Sequence, residues 1–301
     1  MGRLRDRSAE QAAHALLGHA QELAAKKDEG ALLGALLITR TGDDLKSRVT
    51  RLMEPWAKAD GIGEHSLRDI YAMIAAMHAE NLLYLSQPVL AFALGCEEAA
   101  LERGPLRILR REAMVDGGTT YVLTRHRRIA EAARDWLIET GYDIDRWYPF
   151  LAGAALRAFN VHRTGSHDIA KWQNGLPRHF VNGGRSRWPV AVAVAKALFD
   201  TASHEAERLT VYSSTMRHTE QPGAALALLK REGEKFRTRR DVLYEWGVAA
   251  GGAGDYGLSI WLAARSLADD RAQPLDATRC KLSLAGLGAA FRGLRKATGQ
   301  A

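Results

Sequence analysis

The chain has 301 residues, 47% hydrophobic and 26% charged, an ordinary globular composition with room for two or three domains. A net charge of +7 permits nucleic acid as a partner without demanding it, since charge speaks to association and not to fold. No apolar run approaches the ~18 residues of a membrane span, and the basic start has no apolar stretch after it, which excludes a membrane helix and a secretory signal. Cys96 and Cys280 lie far apart in apolar surroundings and read as buried free thiols, so the expected compartment is the reducing cytoplasm.

Abundant Ala, Leu, Arg and Glu with only 8 prolines predict a mostly helical protein. Residues 1–60 read as a helical lid-like bundle, with Asp43 able to cap a helix that runs through Trp56. Residues 61–140 read as a winged helix. Ser66 caps a helix with Leu67, Ile70, Tyr71, Ile74 and Met77 on one face, and two short helices follow, broken at Gly95. Gly104-Pro105 opens the next helix. Met114-Val115 and Tyr121-Val122-Leu123 form the hairpin wing, turning at Asp116-Gly117-Gly118. His126 then stands at the junction with an amphipathic helix whose inner face is Ile129, Ala130, Ala133, Trp136 and Leu137.

Residues 141–200 read as a helical connector in which 164–187, polar and rich in Gly, His and Arg, is a long loop. Residues 201–301 carry an internal repeat. Leu209, Tyr212, Ser213, Met216, Ala225 and Leu229 align with Leu243, Trp246, Gly247, Ala250, Ser259 and Ala263 at a constant offset of 34 residues, the tetratricopeptide period. The bland alternative is a pair of unrelated helical hairpins. Tyr212, Trp246 and Tyr256 are the residues expected to build the repeats and meet a partner protein. Lys281 to Leu294 reads as a terminal covering helix. The predicted fold class is therefore mostly α: helical bundle, winged helix with a small β-hairpin, then a tetratricopeptide-like α-solenoid.

Chemistry is harder to find. There is no GxxxxGK[ST], HExxH, CxxC or GxSxG. Gly252, Gly254 and Gly257 spell GxGxxG but follow a helix instead of a strand, which fits an inter-helix turn. No catalytic or metal constellation emerges, and the chain reads as no enzyme. A third reading, an enzyme using the His- and Arg-rich segment 162–187, has no assignable reaction. Basic residues remain. Arg107, Arg110 and Arg111 on the helix before the wing, with Arg127 and Arg128 after it, would meet phosphates if the winged helix read DNA. Against this, the helix offers almost no polar side chains to read bases, and an arginine-rich face also forms salt bridges or stays solvated.

The stretch LTRHRRIAEAA (Leu123 to Ala133) resembles the end of the winged helix in STAND ATPases, the signalling switches related to apoptotic and plant-immunity NTPases. GALLGALLITRTGDDLKSRV (Gly30 to Val49) is similar to the helical lid that precedes it. The resemblance implies a non-catalytic regulatory module: repeats that bind a protein trigger, and a winged helix that relays the event, in bacteria often in defence against phage. It also implies that His126, beside Arg125, contacts a phosphate of bound ADP. Arg125 stands where the family usually has methionine, and Arg127 where it has aspartate. The chain alone implies no cofactor. ATP or ADP would enter through a P-loop domain, either part of a longer ATPase or a separate partner. The rival expectation is a winged-helix DNA-binding regulator.

Overall fold

In the computed structural model the described residues are 45–82, 85–116, 121–162, 175–268 and 275–299. They are mostly helical, with a single two-stranded ladder among them. Two compact units divide after Trp147. The sequence placed that boundary at 140. The lid-like bundle expected over 1–60 lies outside the described residues except for its last helix.

In the N-terminal unit, α1 (Leu45–Trp56) buries Val49, Met53 and Trp56, a stripe at i, i+4 and i+7. Trp56 meets Tyr71 edge to face at 5.5 Å. The central helix is α2 (Leu67–Ala79). Ser66 caps it reciprocally: the Ser66 hydroxyl accepts from the Asp69 amide at 3.2 Å, and the Asp69 carboxylate accepts from the Ser66 amide at 3.0 Å. The sequence predicts one apolar face here, but α2 is buried all round. Ala72, Ala75 and Ala76 are all inaccessible to solvent, and their short side chains let neighbouring segments close over the remaining faces.

The chain then pairs back on itself. Ser86 forms an antiparallel bridge with Tyr121, and the Val122 amide donates to the Leu85 carbonyl at 3.0 Å. Ser86 also caps α3 (Gln87–Ala93), accepting from the Val89 amide. Next, α4 (Glu98–Leu101) runs into α5 (Arg107–Arg111) through a kink at Gly104, which leaves the helical region (φ −96°, ψ −109°) just before Pro105. Strand β1 (Val115–Asp116) pairs antiparallel with β2 (Leu123–Thr124), in the register Val115 to Thr124 and Asp116 to Leu123. The predicted Gly-Gly turn between them lies outside the described residues. Helix α6 (Arg127–Glu139) buries Ile129, Ala130, Ala133, Trp136 and Leu137, the five residues of its predicted face.

The C-terminal unit takes over within α7 (Trp147–His162). The segment expected as a loop is helical over 175–182 (α8) and makes a 3-10 turn at Arg185–Arg187. Its composition is polar, yet Leu176 and Phe180, spaced i and i+4, are buried, and Phe180 meets Tyr148 at 4.7 Å. Two apolar anchors suffice to hold a short helix that average polarity hides. Helix α9 (Trp188–Thr201) follows.

Two helical hairpins come next. Helices α10 (Ala206–His218) and α11 (Pro222–Glu232) form the first, α12 (Arg240–Gly252) and α13 (Tyr256–Ala268) the second. The first helices begin at 206 and 240 and the second helices at 222 and 256, the same 34-residue step in both cases. Matched positions match in burial: Leu209 and Leu243 are fully buried, Tyr212 and Trp246 nearly so. At the crossing of the second hairpin the Ser259 hydroxyl donates to the Gly247 carbonyl at 2.7 Å. Gly254 (φ +85°) makes the turn between α12 and α13, with Gly252 ending the first helix and Gly257 in the first turn of the second, so the GxGxxG stretch spans an inter-helix turn. Helix α14 (Ala277–Ala297) lies against both members of that hairpin.

Candidate functional site

Two places bring polar chemistry together. The first is the corner at His126. Its backbone is extended (φ −151°, ψ 143°), and its ring Nδ1 accepts from the Arg128 amide at 3.1 Å, capping α6. With Nδ1 accepting, the neutral ring carries its hydrogen on Nε2. Behind it runs a buried polar line. The Thr124 hydroxyl donates to the His126 carbonyl at 3.0 Å, and His78 Nδ1 lies 2.5 Å from that same hydroxyl oxygen. Since the hydroxyl hydrogen is committed, His78 is the donor. Burial first, and then the neighbouring His126 and Arg127, push the His78 pKa down. The line ties α2, β2 and the start of α6 into one fixed corner.

The arginines around this corner are largely spoken for. Arg110 forms a two-pronged pair with Glu102 across the kink, and Arg110 is the main cause holding that carboxyl below its usual range. Arg127 and Arg128 both reach Glu131, at 3.0 and 3.2 Å, and Arg111 lies 3.7 Å from Glu112. Of the arginines singled out by sequence, Arg107 and Arg125 alone have no carboxylate partner among the described residues.

The second place was not singled out as a site from the sequence. A cavity of about 680 Å³ opens in the C-terminal unit, lined by α8, α10, α12 and α14. Val181, Val211 and Leu282 supply apolar wall. Glu245 forms a bidentate pair with Arg217, at 3.1 and 3.3 Å. Burial drives the Glu245 pKa up, with Arg217 opposing it. His218 is held below its usual pKa by burial and by the charges of Arg217 and Arg178. Arg240, almost fully buried, donates to the Ser266 carbonyl and fixes α12 to α13.

Repeat-matched positions share this cavity. Thr210 and Tyr244, 34 residues apart, both line it, as do Val211 and Glu245. The signal was therefore present in the sequence, at the positions beside the matched ones. The matched aromatics themselves do not face it. Tyr212 and Trp246 are only 8% and 5% exposed, inside the hairpins. Tyr256 is half-buried, its ring covering Gly293 of α14. All three pack within the hairpins or against α14, and the cavity is lined by other residues.

Among the described residues no cluster of His, Cys, Asp and Glu has metal-ligand grouping, and no helix is long and apolar enough to cross a membrane. No protein-family model matches the chain, and no curated protein or solved structure matches it.

Proposed function

We propose that this chain is a regulatory module of a STAND-type signalling NTPase. Its C-terminal hairpins, read as tetratricopeptide-like repeats, bind a protein trigger, and its N-terminal unit, read as a winged helix, passes that event to a nucleotide-binding core. The observation that carries the reading is the cavity flanked by the first helices of two hairpins 34 residues apart. A groove on repeated, equivalent positions is what a stacked-repeat binding surface needs. The order helix, bridge, short helix, kinked helix and two-stranded ladder fits a winged helix. His126 suits the phosphate contact implied by the resemblance, because its cap uses Nδ1 and leaves Nε2 for another partner.

The rival reading, a DNA-binding regulator, draws less support, since Arg110, Arg127 and Arg128 are paired with carboxylates. The test is to give the purified chain ATP and magnesium ion. No turnover is expected, and tight ATP binding with hydrolysis would overturn the non-catalytic reading.

A further inference from the structure

The cavity between α8, α10, α12 and α14 has a chemical preference of its own. Arg178, Asn182, Ser214, His218 and Tyr244 line it, and none of these side chains has a hydrogen bond or ion pair among the described residues. Their charges do not cancel. Glu245 is neutralised by Arg217, and Asp241 by Arg239 at 2.7 Å, whereas Arg178 has no carboxylate to answer it. Beside partial burial, the charges of Arg217 and Arg178 lower the His218 pKa. The unanswered charge at this end of the cavity is positive, and several donors converge on the space.

We infer that the segment filling this cavity presents a carboxylate to Arg178 and His218, with aliphatic neighbours against Val181, Val211 and Leu282. The inference rests on the proposed trigger-binding function and names the chemistry of the trigger: an extended acidic-aliphatic peptide. A carboxylate accepts from the Arg178 guanidinium through a charge-assisted bond. Its negative charge opposes the field of the two arginines at His218, so binding raises the His218 pKa and brings that ring in as a second donor. The charges that act on His218 are Arg178 from α8 and Arg217 on its own helix, while the Glu245 carboxylate from α12, which also lines the cavity, is committed to Arg217.

The experiment pans the immobilised full chain against a random dodecapeptide display library, in parallel with the R178E variant. Arg178 is exposed, so the variant is expected to fold as wild type, checked by circular dichroism. Wild type should enrich peptides with Asp or Glu beside aliphatic residues. The best of these should lose at least tenfold in affinity for R178E and recover when its acid is changed to lysine. Its binding should raise the His218 pKa, read by NMR of the imidazole, which a merely structural role for Arg178 would not produce. Peptides enriched without acidic bias, or acidic peptides indifferent to both R178E and H218Q, would overturn this inference and leave trigger binding standing. If neither protein enriches any peptide, trigger binding through this cavity fails, and the inference fails with it.

Discussion

Arg217 and Glu245 face each other from α10 and α12 as a bidentate ion pair, at 3.1 and 3.3 Å, with the Glu245 side chain only 8% exposed. It joins the first helix of one hairpin to the first helix of the next. It also borders the cavity, so the same bond joins the two hairpins and offsets a negative charge in the cavity wall. A pair this dry is weak evidence for stability, yet removing one partner strands the other.

Accordingly, R217M leaves the Glu245 carboxylate without its partner and should destabilise the C-terminal unit by about 2–4 kcal/mol, toward the lower end because Arg217 is partly exposed. The R217M/E245Q double variant should cost much less than the sum of the two single changes. Thermal or denaturant unfolding of all four proteins gives the coupling energy, and strict additivity would show that the pair contributes nothing of its own.

His78 predicts a pH effect with a definite sign. Its folded pKa lies below the usual 6.5. Between the folded and unfolded values the unfolded chain therefore binds more protons than the native one, and stability falls as pH falls. The loss should begin near pH 6.5 and continue until the folded pKa is passed. Replacing the ring with H78Q should flatten that slope, measured as unfolding free energy from pH 7.5 to 5. His218, shifted the same way, contributes a slope of its own, so the readout is the difference between wild type and variant.

Thr124 is the hinge of the same buried line. T124V removes the oxygen that accepts from His78 and leaves that buried ring without its hydroxyl partner, whereas the His126 carbonyl keeps the Ile129 amide at 3.0 Å. A loss of about 1–3 kcal/mol is expected. A variant as stable as wild type would mean the line carries no net free energy.

At His126 two roles separate by substitution. H126N keeps a side-chain acceptor for the Arg128 amide and should alter stability little, whereas H126A removes the cap and should cost about 1 kcal/mol. If the ring also contacts a nucleotide phosphate, H126N should still weaken ADP retention by the assembled NTPase, because the Nε2 donor is gone.

Two glycines, one on α12 and one on α14, should respond oppositely. A methyl group at Gly247 would meet the Leu262 Cβ and Ser259 carbonyl at an ordinary 3.5 Å, so G247A should be neutral or stabilising by up to about 1 kcal/mol through helix propensity. At Gly293 the same methyl group would overlap the Tyr256 ring, and G293A should destabilise by about 1–3 kcal/mol. Melting temperatures of the two variants, compared directly, decide the matter.

The sequence by itself determined whatever depends on one helix or one repeat. The Ser66 cap, the five-residue face of α6 and the 34-residue step are local patterns, fixed by helical periodicity and by side chains that bond their own backbone. Tertiary structure decided the rest. Whether Leu176 and Phe180 belonged to a loop or a helix depended on Tyr148, a partner on another helix. The repeat's aromatics were conspicuous in sequence because they are large and recur, and for that same reason they are buried. The cavity is made by residues from four helices, none of them conspicuous in its own segment. Arg178 and His218 are 40 positions apart, and only packing brings their charges to bear on one another. Periodicity reports which way a side chain points on its own helix, whereas electrostatic environment depends on what the neighbouring helices place opposite it.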